Sequence, residues 1–217
     1  MPNVNTSPAA AIAATRRAVG VPRQVRLRNG APAQIRAVRS DDMRRFGAFV
    51  ARLSPASRGE RFGRGLGACS PAMLVDLVNV DGVRHVAFVA TLRLDYDEEV
   101  IGEARYDVSA DGDCAELTLV VADFWQGQGL ADQLLDLLIE AARDAGLRRL
   151  VCEVPSSNRR AIRFMQRMGF VASAQSADRP VLRMERGVAA RLPQAPAPRT
   201  VDVLRRWLNN QFFQFGF

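Results

Sequence analysis

Apolar residues recur along the chain in two periods, and the place where the period changes organises it. Residues Gln34-Ile35-Arg36-Ala37-Val38-Arg39 alternate like a strand. Ser40 reads as the cap of a helix over 41–52, with Asp41 and Asp42 in its first turn, where the helix dipole favours carboxylates. Residues 55–62 read as a short helix and 63–67 as a loop. Ser70-Pro71, a cap followed by proline at the first helical position, starts a helix to about residue 80. Three strand patterns follow at 86–94, 100–106 and 115–121, joined by an acidic turn at 95–99 and by Ala110-Asp111-Gly112-Asp113, which predicts an antiparallel meander. The period then shifts. Leu130, Leu134, Leu137, Leu138, Ala141 and Ala145 form a helical stripe over 129–145, closed by Gly146. A short strand at 149–153, a helix at 158–168 that carries Ala161, Phe164, Met165 and Met168 on one face, and a strand at 181–185 complete the pattern. A meander followed by strand, helix, strand, helix, strand predicts a mixed α/β (α+β) sheet with one parallel element.

The flanks differ in texture. Residues 1–32 read as a basic, flexible leader and 33–187 as the folded domain. Residues 188–199 read as a linker stiffened by the prolines of Leu-Pro-Gln-Ala-Pro-Ala-Pro. From 200 to 217, Thr200 caps an amphipathic helix with Val203, Leu204 and Trp207 that runs into Phe212, Phe213, Phe215 and Phe217. So apolar a helix is expected to dock on its own domain or on a second subunit, as a homodimer, rather than on a membrane.

Composition narrows the chemistry. The chain has 217 residues, 48% hydrophobic and 24% charged, enough for one core with appendages. All 30 basic residues are arginine. A chain without lysine cannot be a P-loop enzyme or form a Schiff base. His85 stands alone, and Cys69, Cys114 and Cys152 are scattered without a CxxC pair, so neither a metal site nor a disulfide framework is expected. A sparse, odd cysteine count suits the cytoplasm. The net charge of +7 is local: seven arginines stand in residues 1–40 without an acid, while the rest balances 23 arginines against 23 acids. A nucleic-acid partner is therefore not expected of the domain itself. No run approaches the roughly 18 apolar residues of a transmembrane helix. In the leader the arginines follow the apolar patch 8–15, the wrong order for a secretory signal.

The chemistry-bearing segment is Asp123-Phe-Trp-Gln-Gly-Gln-Gly-Leu-Ala-Asp132, a strand that enters a glycine turn in which a helix begins. Backbone N–H groups there face outward at the positive end of a helix dipole. Glycine at 127 and 129 removes the Cβ atoms that would hold a phosphate away. This is an anion cradle that works without lysine. The dinucleotide fingerprint GxGxxG fails, because Asp132 occupies its third glycine.

Gln126-Gly127-Gln128-Gly129-Leu130-Ala131 resembles the pyrophosphate loop, (Arg/Gln)-x-x-Gly-x-(Gly/Ala), of the GNAT superfamily of acyl-CoA-dependent N-acetyltransferases. About 30 residues on, Asn158-x-x-Ala161-x-x-Phe164-x-x-x-x-Gly169-Phe170 resembles the second CoA-binding segment of that superfamily. The resemblance covers roughly residues 33–186. It implies a mostly antiparallel sheet flanked by helices, a splay between the fourth and fifth strands, and acetyl-CoA as co-substrate without a metal. Leu53-Ser-Pro-Ala-Ser-Arg-Gly-Glu-Arg-Phe62, Ala104-Arg-Tyr106 and Ala115-Glu116 are similar to the bacterial protein lysine acetyltransferases. That likeness implies an amine acceptor, a protein lysine or a small molecule, with lysine acetylation the first expectation. A non-catalytic acyl-CoA-binding module is the reading from another class.

The resemblance implies roles residue by residue. Leu119, Val120 and Val121 would pair with the pantetheine arm, the loop 126–131 would hold the diphosphate, and Asn158 would bond the CoA arm while capping its helix. Glu116 would be the general base, with Glu103 in reserve. An apolar strand around Glu116 is expected to favour its protonated form. Arg159 or Arg160 could reach phosphates, and Arg58 and Arg61 could line the acceptor entrance or form helix ion pairs. Many members place a tyrosine acid seven residues after the motif asparagine; here that residue is Met165.

Overall fold

In a computed structural model, residues 22–62, 69–95, 97–175 and 180–188 are described. The proline-rich linker and the aromatic C-terminal helix, with the dimer contact expected of it, lie outside these residues, as does residues 1–21 of the leader. Eight strands form one sheet: β1 (Arg23–Arg26), β2 (Pro32–Ala37), β3 (His85–Leu94), β4 (Asp97–Val108), β5 (Cys114–Val121), β6 (Arg149–Pro155), β7 (Val171–Gln175) and β8 (Val181–Gly187). Their spatial order is β1-β2-β3-β4-β5-β6-β8-β7, and every pairing is antiparallel except β5 with β6. The helices are α1 (Met43–Arg52), α2 (Pro55–Phe62), α3 (Pro71–Val78), α4 (Leu130–Asp144) and α5 (Arg159–Arg167). None of the described helices is long and apolar enough to cross a membrane. The mixed, mostly antiparallel sheet expected from the periodicity is present.

Two strands escaped the pattern. β1 lies within the expected leader, yet it pairs with β2 from Arg23↔Ile35 to Arg26↔Pro32, and Leu27 just after it is 2% exposed. The folded domain thus begins ahead of residue 33. At its other end, Val188, the first residue of the expected linker, is buried and donates its N–H to the carbonyl of Arg148. The first helix also differs from expectation. Ser40 opens a short 3-10 turn, Ser40–Asp42, and does not cap. Asp42 is fully buried, its carboxylate gripped by both terminal nitrogens of Arg36 at 2.7 Å and by the N–H of Arg39 at 2.9 Å. A first-turn carboxylate became the centre of a buried ion pair. Ser70 caps α3 as expected, accepting from the N–H of Met73 at 3.2 Å.

The core has two halves, one on each face of the sheet. Alternation sends Phe88, Tyr106 and Leu117 to the face covered by α4 and α5, where Leu134 and Leu138 meet them. It sends Val89, Val100 and Val120 to the opposite face, under Phe46, Phe49 and Val50 of α1 and Leu77 of α3. Between β3 and β4 the register slips. Ala90 faces Gly102 while Thr91 faces Val100, so Ile101 is an extra residue whose carbonyl accepts from the N–H of Ala122. Gly102, beside this bulge, lets α4 sit against the sheet: a Cβ there would lie 3.1 Å from Cδ1 of Leu134 and 3.3 Å from Cδ2 of Leu130. Replacing Gly102 with valine should overpack this contact and cost about 1–3 kcal/mol. Urea denaturation with an unchanged m-value would measure it, and a null effect would mean that α4 is free to shift.

Candidate active site

The site grows out of a fork. β5 and β6 pair through only three positions, Cys114↔Arg149, Ala115↔Leu150 and Glu116↔Val151. Beyond Glu116, β5 stays with β4 as far as Val121↔Gly102, and β6 stays with β8 as far as Pro155↔Val181. The strands therefore part, and a cavity of about 400 Å³ opens between them. Residues 117–121 of β5 form one wall and 152–155 of β6 the other. α5 contributes Ala161, Phe164 and Met165, and α2 contributes Ser57, Glu60 and Arg61.

At its far end lies the glycine loop. Gly127 and Gly129 adopt φ of 79° and 82°, the left-handed region that glycine enters without a Cβ penalty. Gly129 is the N-cap of α4 and brings no side chain to its first amides, which leaves them available to an anion. The loop is held from behind. Nε2 of Gln126 donates to the carbonyl of Val121 at 3.2 Å and to Oγ of Ser57 at 3.3 Å, while its Oε1 accepts from Nη1 of Arg160 at 2.9 Å. The carbonyl of Gln128 accepts from the N–H of Arg28, and its Oε1 from the N–H of Asn29, both at 3.1 Å.

Leu119, Val120, Val121, Gln126, Gly127, Gly129, Ala131 and Asn158 all line the one cavity. Asn158 also caps α5, its Oδ1 accepting from the N–H of Ala161 at 2.9 Å. Gln128 faces the β1–β2 turn, and the Leu130 side chain is fully buried in the core, so only their backbone groups are suited to a ligand.

The two carboxylates differ sharply. Glu116 stands at the vertex of the fork and is exposed, on the same sheet face as Thr118 and Val120. The apolar surroundings expected for it are absent: across the strand it meets Asp107, whose Oδ1 lies 2.7 Å from Nδ1 of His85. Glu103 is 0% exposed. Nε of Arg61 donates to it at 3.1 Å and Nε of Arg105 donates to its other oxygen, while Nη2 of Arg105 reaches the carbonyl of Leu77 at 2.7 Å. One buried charge thus fastens both α2 and α3 to the sheet. Burial opposes its ionisation, but the two guanidinium groups outweigh that and hold the carboxyl below its ordinary value. A carboxylate so stabilised is a poor proton acceptor, and Glu103 serves structure. Arg61 makes its ion pair with the sheet rather than within its helix.

Sequence reasoning missed Asp123. Its Oδ1 accepts from the hydroxyls of Ser54 and Ser57 at 2.8 and 2.7 Å, and its Oδ2 from the N–H of Ser54 at 2.9 Å. It ties the start of α2 to the approach of the glycine loop. The Ser-x-x-Ser spacing in 54–57 was the available signal. Cys152, also on the cavity wall, has its thiol pushed up to about 12, by burial first and by the charge of Glu116 second.

The model of the Acetyltransferase (GNAT) family matches residues 72–170. An acetyltransferase of Pseudomonas aeruginosa is 33% identical over 152 residues, which are 70% of this chain and 82% of that one. The crystal structure of the GNAT domain of S. lividans PAT superposes with a TM-score of 0.70 at 30% identity, covering 76% of this chain and 96% of that domain. Spermidine N-acetyltransferase from Vibrio cholerae, in complex with CoA and spermine, shares the fold at a TM-score of 0.59 and 19% identity, over 72% of this chain and 95% of that one. The chain belongs to the GNAT family and is an acyl-CoA-dependent N-acetyltransferase.

The buried carboxylates predict how the fold responds to acid. Asp42, like Glu103, is held below its ordinary value: burial opposes ionisation and the hydrogen bonds from Arg36 and Arg39 override it. With ordinary values of 4.5 for Glu103 and 3.8 for Asp42, the unfolded chain takes up protons at higher pH than the native state. Their stabilisation is therefore complete above those values and lost as pH falls through the lower native ones. Thermal melting should show a plateau that declines below about pH 4.5. Glu103→Gln, which leaves two guanidinium groups facing a neutral amide, should cost about 3–5 kcal/mol at neutral pH and shrink that decline.

Proposed function

We propose that this protein moves an acetyl group from acetyl-CoA directly to a primary amine, and that the amine is a protein lysine side chain. The observation that carries the reading is the fork: an unpaired stretch of β5 leads from an exposed carboxylate at its vertex to a lysine-free anion cradle at its mouth.

Acetyl-CoA supplies the activated acyl carbon; the rest is work for the protein. Loop amides and the first turn of α4 hold the diphosphate. Leu119, Val120 and Val121 offer backbone groups on the side of β5 that β6 has left, so that a pantetheine arm adds to the sheet like a further strand. Asn158 bonds that arm. A lysine amine, near pKa 10.4 in water, arrives largely protonated and must lose a proton before it can attack. Glu116, at the vertex, takes it directly or through a water. Its exposure suits a macromolecular acceptor, whose side chain can reach it from solvent. The likeness of residues 53–62, 104–106 and 115–116 to protein lysine acetyltransferases supports the same acceptor.

The thiol beside the vertex supports direct transfer. At a value near 12, Cys152 is protonated at neutral pH and not a nucleophile. Met165 stands where a tyrosine acid is common and can donate no proton, so the departing thiolate is left to solvent, a modest loss for so stable an anion.

Purified protein given acetyl-CoA and lysine peptides should release CoA. Glu116→Gln should lower kcat about 10²–10⁴-fold while leaving the affinity for acetyl-CoA unchanged. Equal turnover by this variant would remove Glu116 as base. A polyamine acceptor outperforming every peptide in kcat/KM would overturn the protein-lysine assignment.

A further inference from the structure

Four arginines line the cavity: Arg28, Arg61, Arg160 and Arg167. Two have spent their charge, Arg61 on Glu103 at 3.1 Å and Arg167 on Asp132 at 3.4 Å. The other two meet no carboxylate among the described residues. Nη1 of Arg28 donates to the carbonyl of Gly127 at 3.3 Å, and Nη1 of Arg160 to Oε1 of Gln126 at 2.9 Å, both neutral acceptors.

Their placement relative to the loop is specific. A Cβ on Gly129 would lie 3.6 Å from Nε of Arg28, and one on Gly127 would lie 3.8 Å from Nη2 of Arg160. The two unneutralised guanidinium groups thus border the space that the two glycines leave empty. Arg28 is carried there by the β1–β2 turn. Leu27 anchors the turn in the core, and the turn closes through Gly30 N–H to the Leu27 carbonyl at 2.8 Å. The Arg28 N–H then joins the turn to the loop through the Gln128 carbonyl. The Gly127 and Gln128 carbonyls are thus both satisfied by donors of Arg28.

We infer that Arg28 binds the diphosphate of acyl-CoA, and that the β1–β2 turn is a working wall of the cofactor site rather than the end of a leader. This rests on the acyl-CoA reading of the cavity. Arg28 and Arg160 bring two positive charges to a diphosphate diester that carries two negative ones. Arginine fits the task without a lysine, since its fork holds a backbone carbonyl and a phosphate oxygen at once.

Titration calorimetry on the full chain tests it with CoA, with dephospho-CoA, which keeps the diphosphate and lacks the 3′-phosphate, and with saturation kinetics on S-acetylpantetheine, which has no phosphate. Arg28→Gln should weaken CoA and dephospho-CoA alike by about tenfold or more, and leave the KM for S-acetylpantetheine unchanged. Arg28→Lys, which keeps the charge, should recover much of the loss, and high salt should narrow the gap between wild type and Arg28→Gln. Three results would overturn the inference: unchanged CoA affinity, a loss confined to CoA and absent with dephospho-CoA, which would assign Arg28 to the 3′-phosphate, or an equal loss on S-acetylpantetheine, which would make Arg28 a brace of the loop alone. Thermal melting of the free variants separates the last case from general unfolding. Failure of the wild-type protein to bind CoA would instead bring down the reading of the whole site.

Discussion

The gap between β5 and β6 stays open because each strand is already committed on its outer side. β5 is zipped to β4 from Ala115 to Val121, and β6 to β8 from Arg149 to Pro155. Closing the gap would break one of those ladders, and in a sheet whose strands twist, two strands held from outside diverge once their shared pairing ends. The cost is a row of backbone groups on β5 without a strand partner, which a folded protein tolerates where water or a ligand can satisfy them. Everything else in the site follows from this geometry. In the proposed reading, the vertex fixes where a reacting carbonyl sits, and the length of β5 beyond it fixes how far away the anion cradle must be.

The charges near the gap are sorted accordingly. At the mouth, positive potential comes from peptide dipoles, the start of α4 and two arginines that meet no carboxylate among the described residues. At the vertex stands the exposed Glu116. Between them, Glu103 pairs with both Arg61 and Arg105 beneath α2 and α3. A desolvated carboxylate with two guanidinium partners is a fastening, and it offsets part of their positive charge. The chain thus uses one residue type, arginine, for two opposed purposes, and burial beside a carboxylate decides which.

How much of this the sequence discloses depends on which physical signal each element leaves. The glycine loop, the Ser70 and Asn158 caps and the leucine stripe of α4 are local signals, and each appears where its residues place it. β1 leaves none: Arg-Gln-Val-Arg lies at a sheet edge, largely exposed on both faces, so no alternation marks it and its arginines read as a tail. β7, five residues of mostly small side chains, is equally faint. Asp42 and Glu103 look like surface charges because their arginine partners are tertiary or lie across several residues. Arg28 was hidden for the same reason as β1. The environment of Glu116 was misjudged because alternation assigns a residue to a face without saying what covers it there, and here Glu116 is left bare although Cys114 on the same face is buried.

That bareness bears on the chemistry. A general base enclosed in an apolar pocket gains proton affinity but needs a route by which to lose the proton afterwards. In the proposed role, the exposed Glu116 needs no such route, because water reaches it. A direct-transfer reading is consistent with that exposure: once the amine has attacked, the proton can leave through the same opening by which the acceptor entered. On the opposite face of the fork, Leu117, Cys152 and Met165 line the cavity with a thioether, a protonated thiol and an alkyl chain, none of which ionises at neutral pH. Glu116 and Leu117, neighbours in the chain, thus face opposite sides of the sheet, as the alternation of β5 imposes.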